Sequence, residues 1–155
     1  MKLFVEPLNK EMANAILHWN YEKPYDFYNI EVTIEALMEL LDGSYYSIFT
    51  AERELVGFFC TGVNAQVSSG DRFGVYKEKA LDLGLGMNPN LVGQGNGYEF
   101  CSFILKQIEN NKESLPVRLT VATFNQRAIH LYEKLGFKPH LKFNTDVSEF
   151  ITMVK

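Results

Sequence analysis

Three glycines stand one residue apart in Val92-Gly93-Gln94-Gly95-Asn96-Gly97, and a helical pattern of apolar residues begins directly after them. The first four N–H groups of a helix lack intrahelical partners, and its N-terminus carries partial positive charge. Glycines let an anion approach those groups with no Cβ in the way. A strand, a glycine-rich turn and a helix in that order can therefore cradle a phosphate, and no lysine is required. A turn that holds no ligand would use the same residues. Two other phosphate motifs do not fit: no Gly-Lys pair followed by Ser or Thr occurs. A dinucleotide fingerprint starting at Gly93 would need glycine at 98, where Tyr98 stands.

The remaining chemistry-bearing residues point away from other classes. Cys60 and Cys101 each sit in an apolar stretch and read as small buried hydrophobes. His18, His130 and His140 show no ligand spacing, so no metal site is expected. A Cys101–His130 nucleophile pair has no evident acid to orient it. The net charge of -4 disfavours nucleic acid and acidic membrane surfaces as partners and permits a cationic one. No apolar run approaches the roughly 20 residues of a membrane span. The start, MKLFVEPLNKEM, has no long apolar segment, so a cytoplasmic location is expected. At 155 residues, 46% hydrophobic and 22% charged, the chain reads as a single domain over 1–155.

The elements that must position these residues follow from periodicity. Residues 2–6 read as a short strand stopped by Pro7. Asn9 can cap a helix over 10–19, and Thr33 can cap a second over 33–42, ended by Gly43. Between them lies the aromatic loop YEKPYDFYN. The β-rich runs 44–51 and 54–65 flank Glu52-Arg53 and read as an antiparallel hairpin. Residues 67–76 are mostly loop, and 79–87 form a strand closed by Asn88-Pro89. A helix is expected over 96–110, then a loop over 110–116 and a strand over 117–123. Asn125 begins a helix through Leu135 with Gly136 as a left-handed stop, and two strands finish the chain. The order predicts an α+β fold in which the strand–helix–strand through 79–123 is a parallel crossover.

Two stretches of this pattern resemble the GNAT superfamily of acyl-CoA-dependent N-acyltransferases. Met87-Asn88-Pro89 followed by Val92-Gly93-Gln94-Gly95-Asn96-Gly97 is similar to its phosphate motif, with Val92 where the family carries Arg or Gln. "NQRAIHLYEKLGF" is similar to its second motif, through Asn125, Ala128, Tyr132, Gly136 and Phe137. The resemblance covers 80–138 well. It implies a GNAT-like fold: a central mixed, mostly antiparallel sheet with one parallel, splayed strand pair and helices on both faces. Acetyl-CoA is the implied co-substrate, with no metal.

The resemblance also implies roles. The pantetheine arm hydrogen-bonds backbone near Leu85, Gly86 and Met87 like an added strand, and the pyrophosphate sits on Gly93, Gln94, Gly95, Asn96, Gly97 and Tyr98. Gly84 and Gly86 leave a strand face bare, which either makes room for thioester and amine or admits a packed neighbour. Asn125 reaches the cofactor while also serving as N-cap. Tyr132 is either a core tyrosine or the general acid that protonates the leaving thiolate. The Glu that ribosomal-protein N-terminal acetyltransferases carry five residues before the Asn is Thr120 here. Asp82 is the nearest strand acid and shares a face with Gly84 and Gly86 by alternation. It is a candidate base, beside a solvated carboxylate or a chain of waters. Trp19, Tyr21, Tyr25 and Tyr28 could wall an acceptor site, with Glu22 or Asp26 attracting an amine, or simply pack over the sheet.

The implied activity is acetyl transfer from acetyl-CoA to a primary amine, of a small molecule or a peptide, by direct attack in a ternary complex. A non-catalytic acyl-CoA-binding protein of the same fold is the alternative. A homodimer is one implied assembly.

Overall fold

The computed structural model describes residues 2–109 and 113–155. The expected last residue of the helix over 96–110 and the first part of the loop over 110–116 lie outside the described residues. The chain divides into two compact units, Met1–Cys60 with Leu85–Gly97, and Thr61–Gly84 with Tyr98–Lys155.

The first unit begins with β1 (Leu3–Pro7), which runs into α1 (Lys10–Leu17) through Asn9. The Asn9 side chain accepts from the Met12 N–H at 2.8 Å, as the N-cap expectation requires. A 3-10 turn (Tyr25–Tyr28) precedes α2 (Ile34–Leu40), whose cap is Thr33, accepting from the Ala36 N–H at 3.0 Å. β2 (Tyr45–Thr50) pairs antiparallel with β1 from Leu3–Thr50 to Pro7–Tyr46. β3 (Leu55–Thr61) completes the expected hairpin, in antiparallel register with β2. Arg53 turns it with φ 67. Ala13, Ile16, Ile48 and Val56 are almost wholly buried and form the centre of this unit.

The expected strand over 54–65 stops early. Gly62 takes φ 90, outside the range of paired strands, and Val63–Ala65 coil into a 3-10 turn. A second 3-10 segment (Ser68–Phe73) follows where loop was expected. β4 (Leu81–Met87) begins in the second unit and ends in the first.

The second unit adds α3 (Gly97–Ile108), β5 (Val117–Ala122), α4 (Gln126–Lys134), β6 (Lys138–Asn144) and β7 (Glu149–Val154). α3 buries Phe100, Cys101, Ile104 and Ile108, one stripe at helical spacing. β4 and β5 pair in parallel at Leu81–Val117 and Asp82–Arg118, as the crossover requires. β5–β7 and β6–β7 are antiparallel. Among the described residues, seven strands follow the order β1-β2-β3-β4-β5-β7-β6, a mixed sheet of the α+β class.

Candidate active site

The glycine loop takes the conformation its composition predicts. Gly93 has φ 71 and Gly95 φ 81, both in the left-handed region that only glycine enters without strain. A Cβ added to Gly95 would meet no heavy atom within 4 Å. Packing therefore does not require glycine there; backbone conformation does. Two side chains stiffen the loop from within. Asn96 Nδ2 donates to Leu91 O at 3.1 Å, and Gln94 Nε2 donates to Asn90 O at 2.8 Å. Gln94 is thus turned back on its own loop. Gly97 opens α3, with Tyr98 exposed in the first turn.

In the same unit, the end of β4 is held on β3 by Asn88. Its N–H donates to Val56 O at 2.8 Å and its Nδ2 to Leu55 O at 2.9 Å. Leu85, Gly86 and Met87 are half-buried just before it. Gly86 does not leave an empty face. A Cβ there would overlap Cε1 of Phe58 and stand 2.6 Å from its Cζ. Of the two expectations for this glycine, the packed neighbour is the one observed, and Phe58 is that neighbour.

The aromatic loop converges on this strand end through two of its four named residues. Trp19 packs on Phe58 with ring centroids 5.9 Å apart, and Tyr45 approaches the same ring at 6.0 Å. The Tyr21 hydroxyl donates to Met87 O at 2.6 Å. Burial pushes the Tyr21 phenol up to about 12, so it is a donor throughout the neutral range. The Tyr21 N–H donates to Asn29 Oδ1 at 2.8 Å, and Asn29 Nδ2 to Asn20 Oδ1 at 2.9 Å, which closes the loop on itself. Tyr25 and Tyr28 belong to the 3-10 turn instead, where Tyr28 meets Phe27 edge-on at 5.1 Å.

In the second unit, Asp82 is 4% exposed and both its oxygens are engaged. Arg118 Nε donates to Oδ1 at 2.6 Å and its Nη2 to Oδ2 at 2.8 Å, a bidentate pair. Gln66 Nε2 also donates to Oδ2 at 2.8 Å. The Arg118 guanidinium is held further toward its charged form by the hydrogen bond to Asp82, and it lies 5.0 Å over the Tyr76 ring. Tyr76 in turn shares a 2.8 Å hydrogen bond with Thr120 and accepts from the Val67 N–H. Taking a proton from an amine would cost Asp82 one of these donors. Sequence reasoning missed Arg118, although an arginine inside the apolar run VRLTVA is the signal of a buried partner.

Asn125 caps α4, its side chain accepting from the Ala128 N–H at 3.1 Å. Tyr132 is buried on the apolar face of that helix, its ring edge-on to Phe137 at 6.1 Å. Gly136 ends the helix at φ 99. Burial pushes the Cys101 thiol up to about 12, which makes it a poor nucleophile, and His130 is exposed on α4.

A mixed sheet with a parallel β4–β5 pair and a left-handed glycine loop ahead of α3 is the arrangement that the sequence resemblance implied. The chain belongs to the acetyltransferase (GNAT) family, whose description it matches over residues 11–137. Acetyl-CoA is that family's acyl donor. The chain is 37% identical over 95 residues to a mycothiol acetyltransferase of Streptomyces avermitilis, 59% of this chain. It spans about a quarter of that protein, 27% of its length. Among solved structures it is similar to the Vibrio cholerae spermidine N-acetyltransferase in complex with CoA and spermine. That match has TM-score 0.71 and 18% identity, covering 99% of this chain and 94% of the other. It is similar also to an aminoglycoside acetyltransferase in complex with coenzyme A, with TM-score 0.74 and 14% identity, over 99% and 94% of the two chains.

Proposed function

We propose that this protein transfers the acetyl group of acetyl-CoA to a primary amine by direct attack within a ternary complex. One observation carries the reading: Gly93 and Gly95 are both left-handed, and the Cβ direction of Gly95 is open, directly ahead of α3. A phosphate resting there meets backbone N–H groups of the loop and of the first helical turn. The half-buried edge at Leu85, Gly86 and Met87 takes the pantetheine arm, with backbone hydrogen bonds from Leu85 and Met87, and the Met87 N–H polarises the thioester carbonyl.

The amine nitrogen attacks the carbonyl carbon, the C–S bond breaks, and the thiolate takes a proton. Tyr132 is the donor of that proton. Asn125 serves cap and cofactor together. Asp82 holds β4 to β5 through Arg118 and does not serve as the base; the ammonium of the acceptor loses its proton to water. Trp19 and Tyr21 belong to the acceptor side, with Tyr25 and Tyr28 further along the same loop.

Release of thiol from acetyl-CoA, measured against spermidine, kanamycin and a short peptide with a free amino terminus, tests the reading. Turnover with at least one amine supports it. Tight CoA binding with no thiol release from a broad amine panel would leave a binding protein in its place.

A further inference from the structure

The hydrogen bond from Tyr21 to Met87 joins residues 66 positions apart and falls at the atom next to the proposed reaction. In an extended strand the N–H and C=O of one residue point to the same side, as paired residues in antiparallel ladders show when they exchange both bonds. The next peptide N–H points the other way. Here the Asn88 N–H donates to Val56 O, so Met87 C=O is turned away from β3. The Met87 N–H lies on that same side. The Tyr21 hydroxyl therefore meets β4 on the side where the thioester carbonyl is held, at a distance of 2.6 Å.

The Met87–Asn88 peptide is consequently fixed at both ends. Val56 O holds its N–H and the Tyr21 hydroxyl holds its oxygen. A peptide plane held twice has little freedom to rotate, and it joins, through the Met87 Cα, the Gly86–Met87 peptide that carries the Met87 N–H, so it limits how that N–H can turn. The Tyr21 backbone is itself tied to Asn29. The loop and the strand end thus form one hydrogen-bonded assembly within the first unit.

We propose that Tyr21 is a positioning residue for acyl transfer: its hydroxyl, bonded to the Met87 carbonyl, sets the backbone of β4 so that the Met87 N–H meets the thioester carbonyl. This rests on the reading of the site given above.

Free CoA has no acyl carbonyl, so the ratio of CoA to acetyl-CoA affinity reads the Met87 contact without any acceptor. The test is calorimetric titration of both ligands into the wild type and Tyr21→Phe, which keeps the ring and loses the hydroxyl. CoA should bind the variant within about twofold of wild type. Acetyl-CoA should bind about fivefold more weakly, equivalent to about 1 kcal/mol, the worth of one hydrogen bond. Equal affinities in both proteins, or equal weakening of both ligands, would overturn the proposal, since a merely structural role moves the two together. Should Tyr21→Phe not fold, Asn29→Ala loosens the same tyrosine and must show the same selective loss. A wild type that binds neither ligand defeats the proposed function itself, whereas a wild type that binds both with an unselective variant defeats the role of Tyr21 alone.

Discussion

The ring of Phe58 occupies the space where a side chain on Gly86 would stand. Adding even a methyl group there forces the ring or β4 to move, and overpacking of this kind costs about 1–3 kcal/mol. Gly86→Ala is expected to lower the unfolding midpoint in urea. The pair Gly86→Ala with Phe58→Leu should recover part of the loss, because the smaller side chain makes room. A double variant no more stable than Gly86→Ala would show that the glycine answers to something other than this ring.

The Asp82–Arg118 pair should behave as a buried structural ion pair. Removing one charge leaves the other without compensation, at a cost of about 3–5 kcal/mol. Asp82→Asn is expected to show that loss in thermal or urea unfolding, while the folded fraction retains CoA affinity. If the variant keeps full stability but loses turnover, the carboxylate acts on substrate after all.

Tyr132→Phe keeps the ring against Phe137 and removes the proton donor. A loss of about a hundredfold in kcat is expected, the lower end of general acid–base contributions, with CoA affinity unchanged. Steady-state kinetics with calorimetry separates the two quantities. Unchanged kcat would assign Tyr132 to the core alone.

The Tyr21 phenol is raised to about 12 by burial, whereas an unfolded tyrosine ionises near about 10. Between those values the unfolded chain has lost a proton that the folded protein keeps. This contribution to stability is therefore complete below about pH 10 and is lost as pH rises through about 12. Urea midpoints of wild type and Tyr21→Phe, measured from pH 9 to above pH 11 (roughly the window these values define), should converge as the wild type loses this contribution. A constant difference would mean the phenol titrates normally.

What could be read in advance was what is local in the chain. The caps at Asn9, Thr33 and Asn125 and the left-handed stop at Gly136 depend on a few neighbouring residues, and all four appear as expected. The strand run over 54–65 failed at Gly62 because β propensity does not register one backbone turn. Strand alternation placed Asp82 on one face of β4 but could not say what stood across from it. The contacts of Phe58 with Gly86 and of Tyr21 with Met87 join distant segments, and no periodicity encodes which two will meet. The glycine loop lay between these cases. Its spacing revealed a cradle, and only the positive φ values of Gly93 and Gly95 show why glycine is required.

Binding of CoA compared with binding of pantetheine tests the glycine loop most directly, because the two differ by the nucleotide and its diphosphate. If the loop and the start of α3 hold that diphosphate, CoA binds at least about a hundredfold more tightly, from two or more charge-assisted hydrogen bonds. Gly95→Ala, strained at φ 81, should remove much of that advantage. Equal affinity for the two ligands, or an undiminished preference in Gly95→Ala, would contradict it.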